Sequence, residues 1–572
     1  MGGGVHYSPR MKASGRFSRR EALAILGAAG ATAVARQTSR ATAPQPVSAL
    51  DGALARNDAG VRTLLAGQIT DAGSPWRGSV PDQFGLHSAG SAGGVAETLT
   101  ASFVHPRSAF HGDNALVDRL RLAAGFLERA QSPQGNIDLL TTNFNSPPDT
   151  GFVVHNVATA AAIAHRHGHE EIARLFQPFL VKAGAGMAAG GIHTPNHRWV
   201  VSSALAQIHE LFPDARYLRR IDEWLAEGID IDSDGQFTER STLVYNIVSD
   251  RALIVLAAKL RRPALLEPVR RNLDVLQYLL HEDGEVVSEI SRRQDQFTRG
   301  TVVGYWFPLS YMAVNDQDGQ MATLAGRAAD GARLSALLEY PELSQPLPSP
   351  RPLAENFERV LGDVGIARIR RNALSATLIL GGSSRFFTLR YGDAVMEGVR
   401  FATSFFGKGQ FISDSGVKRE TTYEFRQTLD GPYFQPLAEK VAARSWEESR
   451  RRRRQSEVCR LEQSADVTET RNGFNIRLRA SGTTGVPVAI ELGFREGGTL
   501  DGCRPVADTP GVFVLEQGTG TYRAGRQEIR FGPGDAPHRY TQLRGAEPRL
   551  PGVSVYITSY TPFDKTINLE CR

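Results

Sequence analysis

Three cysteines in 572 residues, Cys459, Cys503 and Cys571, are too few to carry a fold. Oxidising surroundings permit one disulfide among them with a thiol left over, and no two stand close enough in sequence to form a metal knuckle. Beyond residue 350 the only histidine is His538, so a histidine-built metal site is not expected in that part. The apolar run Ala24 to Ala35 is too short to hold a protein in a bilayer. It follows Ser18-Arg19-Arg20-Glu21 and ends in Ala33-Val34-Ala35, which reads as a twin-arginine export signal over residues 1–35 with a small-residue cleavage site. The expected destination is the periplasm or the cell exterior, without a stable membrane anchor. Residues 1–35 hold five basic groups and one acidic group, so the mature chain falls from +5 to about +1. That near-neutral balance gives no reason to expect nucleic acid as a partner, and any recognition of an acidic polymer has to come from local clusters.

The composition, 41% hydrophobic and 22% charged, is that of a soluble globular protein, and the length is too great for one core. Apolar residues recur at three- and four-residue spacing in 115–130, 152–167, 171–187, 197–212, 217–228, 241–260 and 263–280, separated by turns rich in Gly, Asp and Pro. Successive helices with short connections predict antiparallel hairpins, as in a bundle, a solenoid or an α/α toroid. No fixed-length repeat stands out. Five prolines between Pro341 and Pro352 exclude both helix and sheet there. Beyond them come short β-branched and aromatic runs such as 376–380, 474–478, 486–492 and 553–560, broken by turns, which predict an antiparallel sandwich. The expected organisation is a helical domain over 50–340, a Pro-rich linker over 341–354 and a β-sandwich over 355–572. The five arginines Arg450–Arg454 are expected to form a solvated loop.

The chemistry concentrates in three places. Thr194-Pro195-Asn196-His197-Arg198-Trp199 sets an amide and an imidazole at a helix start, where free N–H groups and the positive end of the dipole can help neutralise a carboxylate. Asn196 is also a good N-cap. About fifty residues on, Tyr245 follows Glu239-Arg240-Ser241-Thr242, and about fifty beyond that comes Ser291-Arg292-Arg293-Gln294-Asp295. Removing a proton beside an ionised carboxylate requires that carboxylate to be neutralised first and the enolate-like state to be held. A tyrosine gives up its own proton reluctantly at neutral pH unless a nearby cation such as Arg292 or Arg293 assists. Asn143 and Asn145, in a polar loop running into Asp149, could meet sugar hydroxyls, while Phe144 and Trp199 could stack on a ring. Asp230-Ile231-Asp232-Ser233-Asp234-Gly235 opens like a calcium loop but has Ser241 where a bidentate glutamate is needed, so it reads as an inter-helix turn leading Glu239 and Arg240 towards a cleft.

The order Asn196-His197, Tyr245, Arg292-Arg293 within helical hairpins that precede a β-sandwich resembles the heparinase II/III-like polysaccharide lyases. It is also similar to the wider toroid group of chondroitin, hyaluronate and alginate lyases. The likeness covers residues 110–560 in architecture. It implies an incomplete α/α toroid followed by an antiparallel β-sandwich, β-elimination on an acidic, uronate-containing polysaccharide, and no cofactor. Carried onto this chain, it implies Asn196 and His197 on the substrate carboxylate, Tyr245 as base and acid, and Arg293 assisting. His155 is a possible counterpart of the separate histidine base of some relatives. Around these, Asn143, Asn145, His155, Trp199, Glu239, Arg240, Arg292 and Gln294 are expected to line the substrate. Two rival readings remain: a toroid glycoside hydrolase using a carboxyl pair such as Asp149 and Glu239, and a non-catalytic polysaccharide-binding protein.

Overall fold

A computed structural model describes residues 49–438 and 445–572; the expected export signal lies outside them. Among the described residues no helix is long and apolar enough to cross a membrane. The first half is helical: α1 (Ala49–Gly67), α2 (Ala89–Val104), α3 (Asn114–Ala130), α4 (Pro147–Arg166), α5 (Glu170–Leu175), α6 (Gln177–Ala189), α7 (His197–Leu211), α8 (Ala215–Ala226), α9 (Tyr245–Leu260), α10 (Leu266–Leu276), α11 (Trp306–Asp316), α12 (Gly319–Arg327) and α13 (Leu334–Glu339). Two kinds of sequence build two layers. α8 buries only Tyr217 and Ile221 along one stripe, as an outer helix does. By contrast α2, α4, α7 and α9 are buried on nearly all sides and pack on one another in that order, forming the inner wall of an α/α toroid. Their starts are fixed locally: Ser88 and Ser146 accept backbone N–H bonds at the heads of α2 and α4, and Asp113 and Asp214 do the same for the outer helices α3 and α8.

Helices α1 and α2 precede the first apolar periodicity, at 115–130, and occupy the start of the helical domain expected over 50–340. One expectation is corrected. The single helix expected over 171–187 breaks at Phe176, because Pro178 lacks the N–H a continuing helix needs and is tolerated only in the first turn of a new one.

A repeat invisible as sequence identity organises one rim of the toroid. Asp82–Leu86, Ser132–Asn136, Asp232–Gln236 and His281–Glu285 each form the same tight turn. The first residue's N–H donates to the fifth residue's carbonyl (2.7–2.9 Å), and a glycine in fourth place donates back to the first carbonyl (2.9–3.1 Å). Gly85, Gly135, Gly235 and Gly284 all take φ between 76° and 95°, the left-handed conformation that closes a type I turn with a glycine bulge. These glycines are about fifty residues apart, or twice that; three of the turns precede the inner helices α2, α4 and α9, and the fourth opens the loop 281–301 that leads to α11. The turns therefore set the heads of α2, α4 and α9 and the loop 281–301 on one rim, and Asn196 at the head of α7 meets them there through Glu239.

The second half is a sandwich of two sheets. Nine strands run in spatial order 504–505, 512–514, 553–560, 487–494, 394–403, 387–391, 374–379, 366–371, 356–361, and eight run 499–501, 520–524, 527–532, 563–571, 473–482, 455–470, 422–434, 416–419. Pairing is antiparallel except between 512–514 and 553–560. In the nine-stranded sheet, Ala367, Ile369, Ala376, Leu378 and Leu389 face the sandwich core. Their alternating neighbours Arg368, Ser375 and Arg390 face the toroid. The fully buried Arg368 guanidinium donates to the carbonyls of Tyr278 and Leu280, and burial pushes its pKa down to about 9.

Glu285 of the fourth turn ties the layers together. It accepts from Arg390 (2.7 Å) and Arg495 (3.0 and 3.1 Å), with all three side chains 16% exposed or less. Glu285→Ala would strand the Arg390 guanidinium with little access to water, while Arg495 keeps Glu397 (2.8 Å), so it is expected to cost about 3 kcal/mol, measured by denaturant unfolding. A loss below 1 kcal/mol would mean that the pair contributes nothing net.

Candidate active site

At the head of α7, Asn196 occupies the N-cap place, yet its side chain caps nothing. Its φ and ψ of −62° and −23° are already helical, and the side chain reaches across to Glu239, Nδ2 lying 2.8 and 2.9 Å from the two carboxylate oxygens. Seen from a trigonal nitrogen, two oxygens of one carboxylate lie too close together to take separate, splayed N–H groups. One N–H therefore bisects the carboxylate and the other is free. His197 follows, 6% exposed, with its ring edge-on to His193 (4.7 Å) and Phe152 (6.2 Å). Burial, with the charges of His193 and Arg293, lowers its pKa to about 3, so it is a neutral imidazole at neutral pH; its Nδ1 is buried without a partner.

The head of α9 brings Tyr245 to the same place. Its backbone N–H donates to Ser241 Oγ (3.0 Å), and Ser241 Oγ donates to Asp295 (2.9 Å). The fully buried Asp295 carboxylate also accepts from Leu243 N (3.1 Å) and from Ser291 Oγ, clamping the turn before α9 to the loop that carries Arg293 and Gln294. Gln294 Nε2 donates to the Tyr245 hydroxyl (3.0 Å), and the Arg293 guanidinium stands 4.9 Å from the centre of the Tyr245 ring. Arg293 Nε is 4.0 Å from Glu239 Oε2 and has no hydrogen-bond partner. Burial pushes the Glu239 carboxyl above the ordinary carboxylate range, against the pull of the Asn196 hydrogen bond and the Arg293 charge. The Arg292 N–H donates to Glu239 O (3.1 Å) while its side chain is exposed. Asn196, His197, Glu239, Tyr245, Arg293 and Gln294 thus form one cluster across two inner-helix heads.

Other expected residues fall elsewhere. Trp199 is fully buried, donates to Asp230 (3.0 Å) and has Arg198 over its ring, so no face is open to a sugar. Two residues beyond His197 turn a helix through about 200°, which points Trp199 away from the cluster. Arg240 takes φ +50° and turns to the sandwich, donating to the carbonyls of Val364 (2.8 Å) and Asp363. It is a strut between the domains, and of the pair only Glu239 reaches the cluster. Asn143 donates to Asp149 (2.9 Å), while Asn145 accepts from Ser132 (2.7 Å) at the exposed turn beneath Phe144, which is 67% exposed. His155 stands eight residues into α4, about 12 Å along its axis, buried against Ser203 Oγ (3.1 Å).

Burial and the charge of Arg251 lower the His155 pKa to about 3. Between pH 6.5 and 3 the unfolded chain binds a proton there that the folded chain refuses, so this group's contribution to stability falls as pH drops through that window and is flat above it. His155→Gln should make the acid side of the stability profile shallower by up to about 1.4 kcal/mol per pH unit. Unfolding curves from pH 7 to 3 with the same slope for both proteins would refute this.

The sequence reading missed His193, Ser241 and Asp295. His193 could have been found from its place four residues before His197, in the bend that leads into α7. Among the described residues no group of three or more His, Cys, Asp or Glu side chains could hold a metal ion, and the three cysteines are unpaired, with burial pushing the Cys503 and Cys571 thiols up to about 12.

No protein-family model and no curated protein sequence matches the chain. Solved structures do. The chondroitin AC lyase of Streptomyces coelicolor A3, in complex with chondroitin sulphate, superposes with a TM-score of 0.54 at 14% identity, over 97% of this chain and 82% of that one. Heparinase III gives 0.54 at 12% identity, over 93% and 87%. A Paenibacillus xanthan lyase gives 0.54 at 12% identity, over 97% of this chain and 58% of its own. At these identities the likeness is one of fold, and that fold is the toroid-plus-sandwich that the sequence resemblance implies.

Proposed function

We propose that the protein is an exported polysaccharide lyase that cleaves a uronate-containing polysaccharide by β-elimination, leaving a 4,5-unsaturated uronate at the new end. The observation that carries this reading is the convergence of Tyr245, Asn196, His197 and Arg293 in one cluster, in which Arg293 stands between the Asn196–Glu239 pair and the Gln294-bound Tyr245 and its charge reaches His197. Support comes from the fold shared with three lyases named for chondroitin, heparin and xanthan.

In this mechanism the free N–H of Asn196 and the N–H of neutral His197 meet the substrate carboxylate, so that negative charge can spread onto it as the C5 proton leaves. Tyr245 takes that proton; Gln294 donates to the phenolic oxygen and the Arg293 cation stands over the ring, both stabilising the phenolate that acts as base. The C5–H electrons form the C4–C5 double bond, the C4–O4 bond breaks, and O4 takes the proton back from Tyr245 where geometry lets one group reach both. Glu239 does not bind substrate here; it orients Asn196 and balances Arg293.

The hydrolase reading needs two carboxyl groups at work on the sugar. Asp149 is instead engaged by Asn143 (2.9 Å) and Ser146 (2.5 Å), and Glu239 by Asn196. Incubation with glycosaminoglycans, alginate, glucuronan and gellan-type polymers, followed by ultraviolet absorbance, tests the proposal. A rise identifies elimination and the substrate; new reducing ends without absorbance would make the protein a hydrolase.

A further inference from the structure

The strands 422–434 and 455–470 run past the rest of their sheet. Their neighbour 473–482 stops pairing at Leu461, whereas the pair itself continues to Phe434 and Gln455. The result is a two-stranded arm on the layer that faces away from the toroid. The short helix α14 (Trp446–Arg450) and the four arginines after it sit at its tip.

Two features of this tip are unusual for a solvated loop. Trp446 is 53% exposed although it is fixed in place: Arg453 lies 4.9 Å from its ring centre and Phe434 meets it edge-on at 6.0 Å. Arg453 is itself held by Gln435 O (3.3 Å) and Ser449 Oγ (3.5 Å). One ring face is therefore buttressed and the rest is presented to water. Arg450 pairs with Glu447 (3.4 Å), but Arg451 and Arg454, both exposed, have no carboxylate within ion-pair distance among the described residues. Farther along the arm Tyr433 is 58% exposed and packs on Phe406, which stands in a left-handed backbone (φ +49°) over Gly431, where a side chain would collide with it.

We propose that this tip is a second binding surface for an acidic polysaccharide, separate from the cleft, with Trp446 stacking on a sugar ring and Arg451 and Arg454 pairing with its anionic groups. Guanidinium forks match carboxylate and sulfate geometry, and an exposed, rigid indole offers apolar area at low entropic cost. Identifying the occupant as a polyanionic sugar chain rests on the lyase reading. A chain held at the arm and in the cleft is bound at two linked points, so retention on long polymer exceeds that on short fragments.

The test uses the full chain carrying Tyr245→Phe, so that polymer is not cut, and measures Kd on immobilised alginate (carboxylates only), dextran sulphate (sulfates only) and uncharged dextran. The expected result is salt-sensitive binding to at least one charged polymer and none to dextran. Arg451→Glu with Arg454→Glu should weaken it tenfold or more, and Arg451→Lys with Arg454→Lys, which keeps the charge but loses the fork, should leave it between that pair and the parent. Trp446→Ala should weaken binding without changing its salt slope. Whichever charged polymer binds identifies the anion. Unchanged affinity in the charge-reversed pair, or no binding to either polymer, overturns the proposal. The lyase reading is judged separately: with Tyr245 intact, the charge-reversed pair should form absorbing product from a short oligosaccharide at the parent rate. Arm-dependent binding in a protein that never forms the double bond would leave the surface standing and the elimination reading overturned.

Discussion

Tyr245→Phe is expected to reduce formation of the ultraviolet-absorbing product by about two to four orders of magnitude, the usual range for losing a positioned acid–base group. The change removes one oxygen and leaves the ring, which is 8% exposed beneath Arg293. Packing is thus preserved, and the loss of one Gln294 hydrogen bond costs about 1 kcal/mol of stability. A protein that folds and binds polymer but does not cleave it is the outcome that assigns the proton to this phenol. Gln294→Ala offers a graded companion: removing the donor from the phenolic oxygen should slow turnover by about tenfold while leaving the base in place. If Tyr245→Phe retains even a tenth of parental activity, the proton must go elsewhere. His193, exposed and edge-on to His197, would be the first group to substitute next.

Much of this cluster was legible because the repeat length is written into the spacing of its residues. Asn196-His197, Tyr245 and Arg293 recur about fifty residues apart, the length of one helical hairpin with its rim turn, so each falls on the same rim. What hid the repeat is that the four turns share only a glycine and a hydrogen-bond pattern, neither of which registers as sequence identity. The inner helix α2 escaped for a related reason. Its Ala-Gly-Ser-Ala-Gly-Gly start has no apolar stripe because it is buried on nearly every side, and a side chain at Gly93 would come within 3.3 Å of Val153 in α4. Trp199 and Arg240 were misplaced because adjacency in sequence does not survive a helical turn or a left-handed residue. The Asp295 clamp could not be read from sequence, since it joins Ser241 and Leu243 to Ser291 across fifty residues.

Asn196→Ala is expected to lower kcat/KM by about a hundred- to a thousandfold, or roughly 2.7–4 kcal/mol, as for other single donors aimed at developing negative charge. Glu239→Ala should cost a similar amount although Glu239 itself touches no substrate in the proposed mechanism. With its carboxylate gone, the Asn196 amide loses the partner that fixes which N–H faces the sugar, and Arg293 loses the nearby anion that holds it beside Tyr245. If the two side chains act as one device, the double variant loses little more than the worse single, a coupling of at least 2 kcal/mol in a mutant cycle on kcat/KM. Strict additivity would instead mean two independent roles and would return Glu239 to direct contact with substrate, as the hydrolase reading requires. Glu239→Gln separates charge from geometry. Its carboxamide oxygen can still accept from Asn196 while giving Arg293 no counter-charge, so activity between the parent and Glu239→Ala is expected. The shortfall from the parent then measures what the charge contributes at Arg293 and Tyr245.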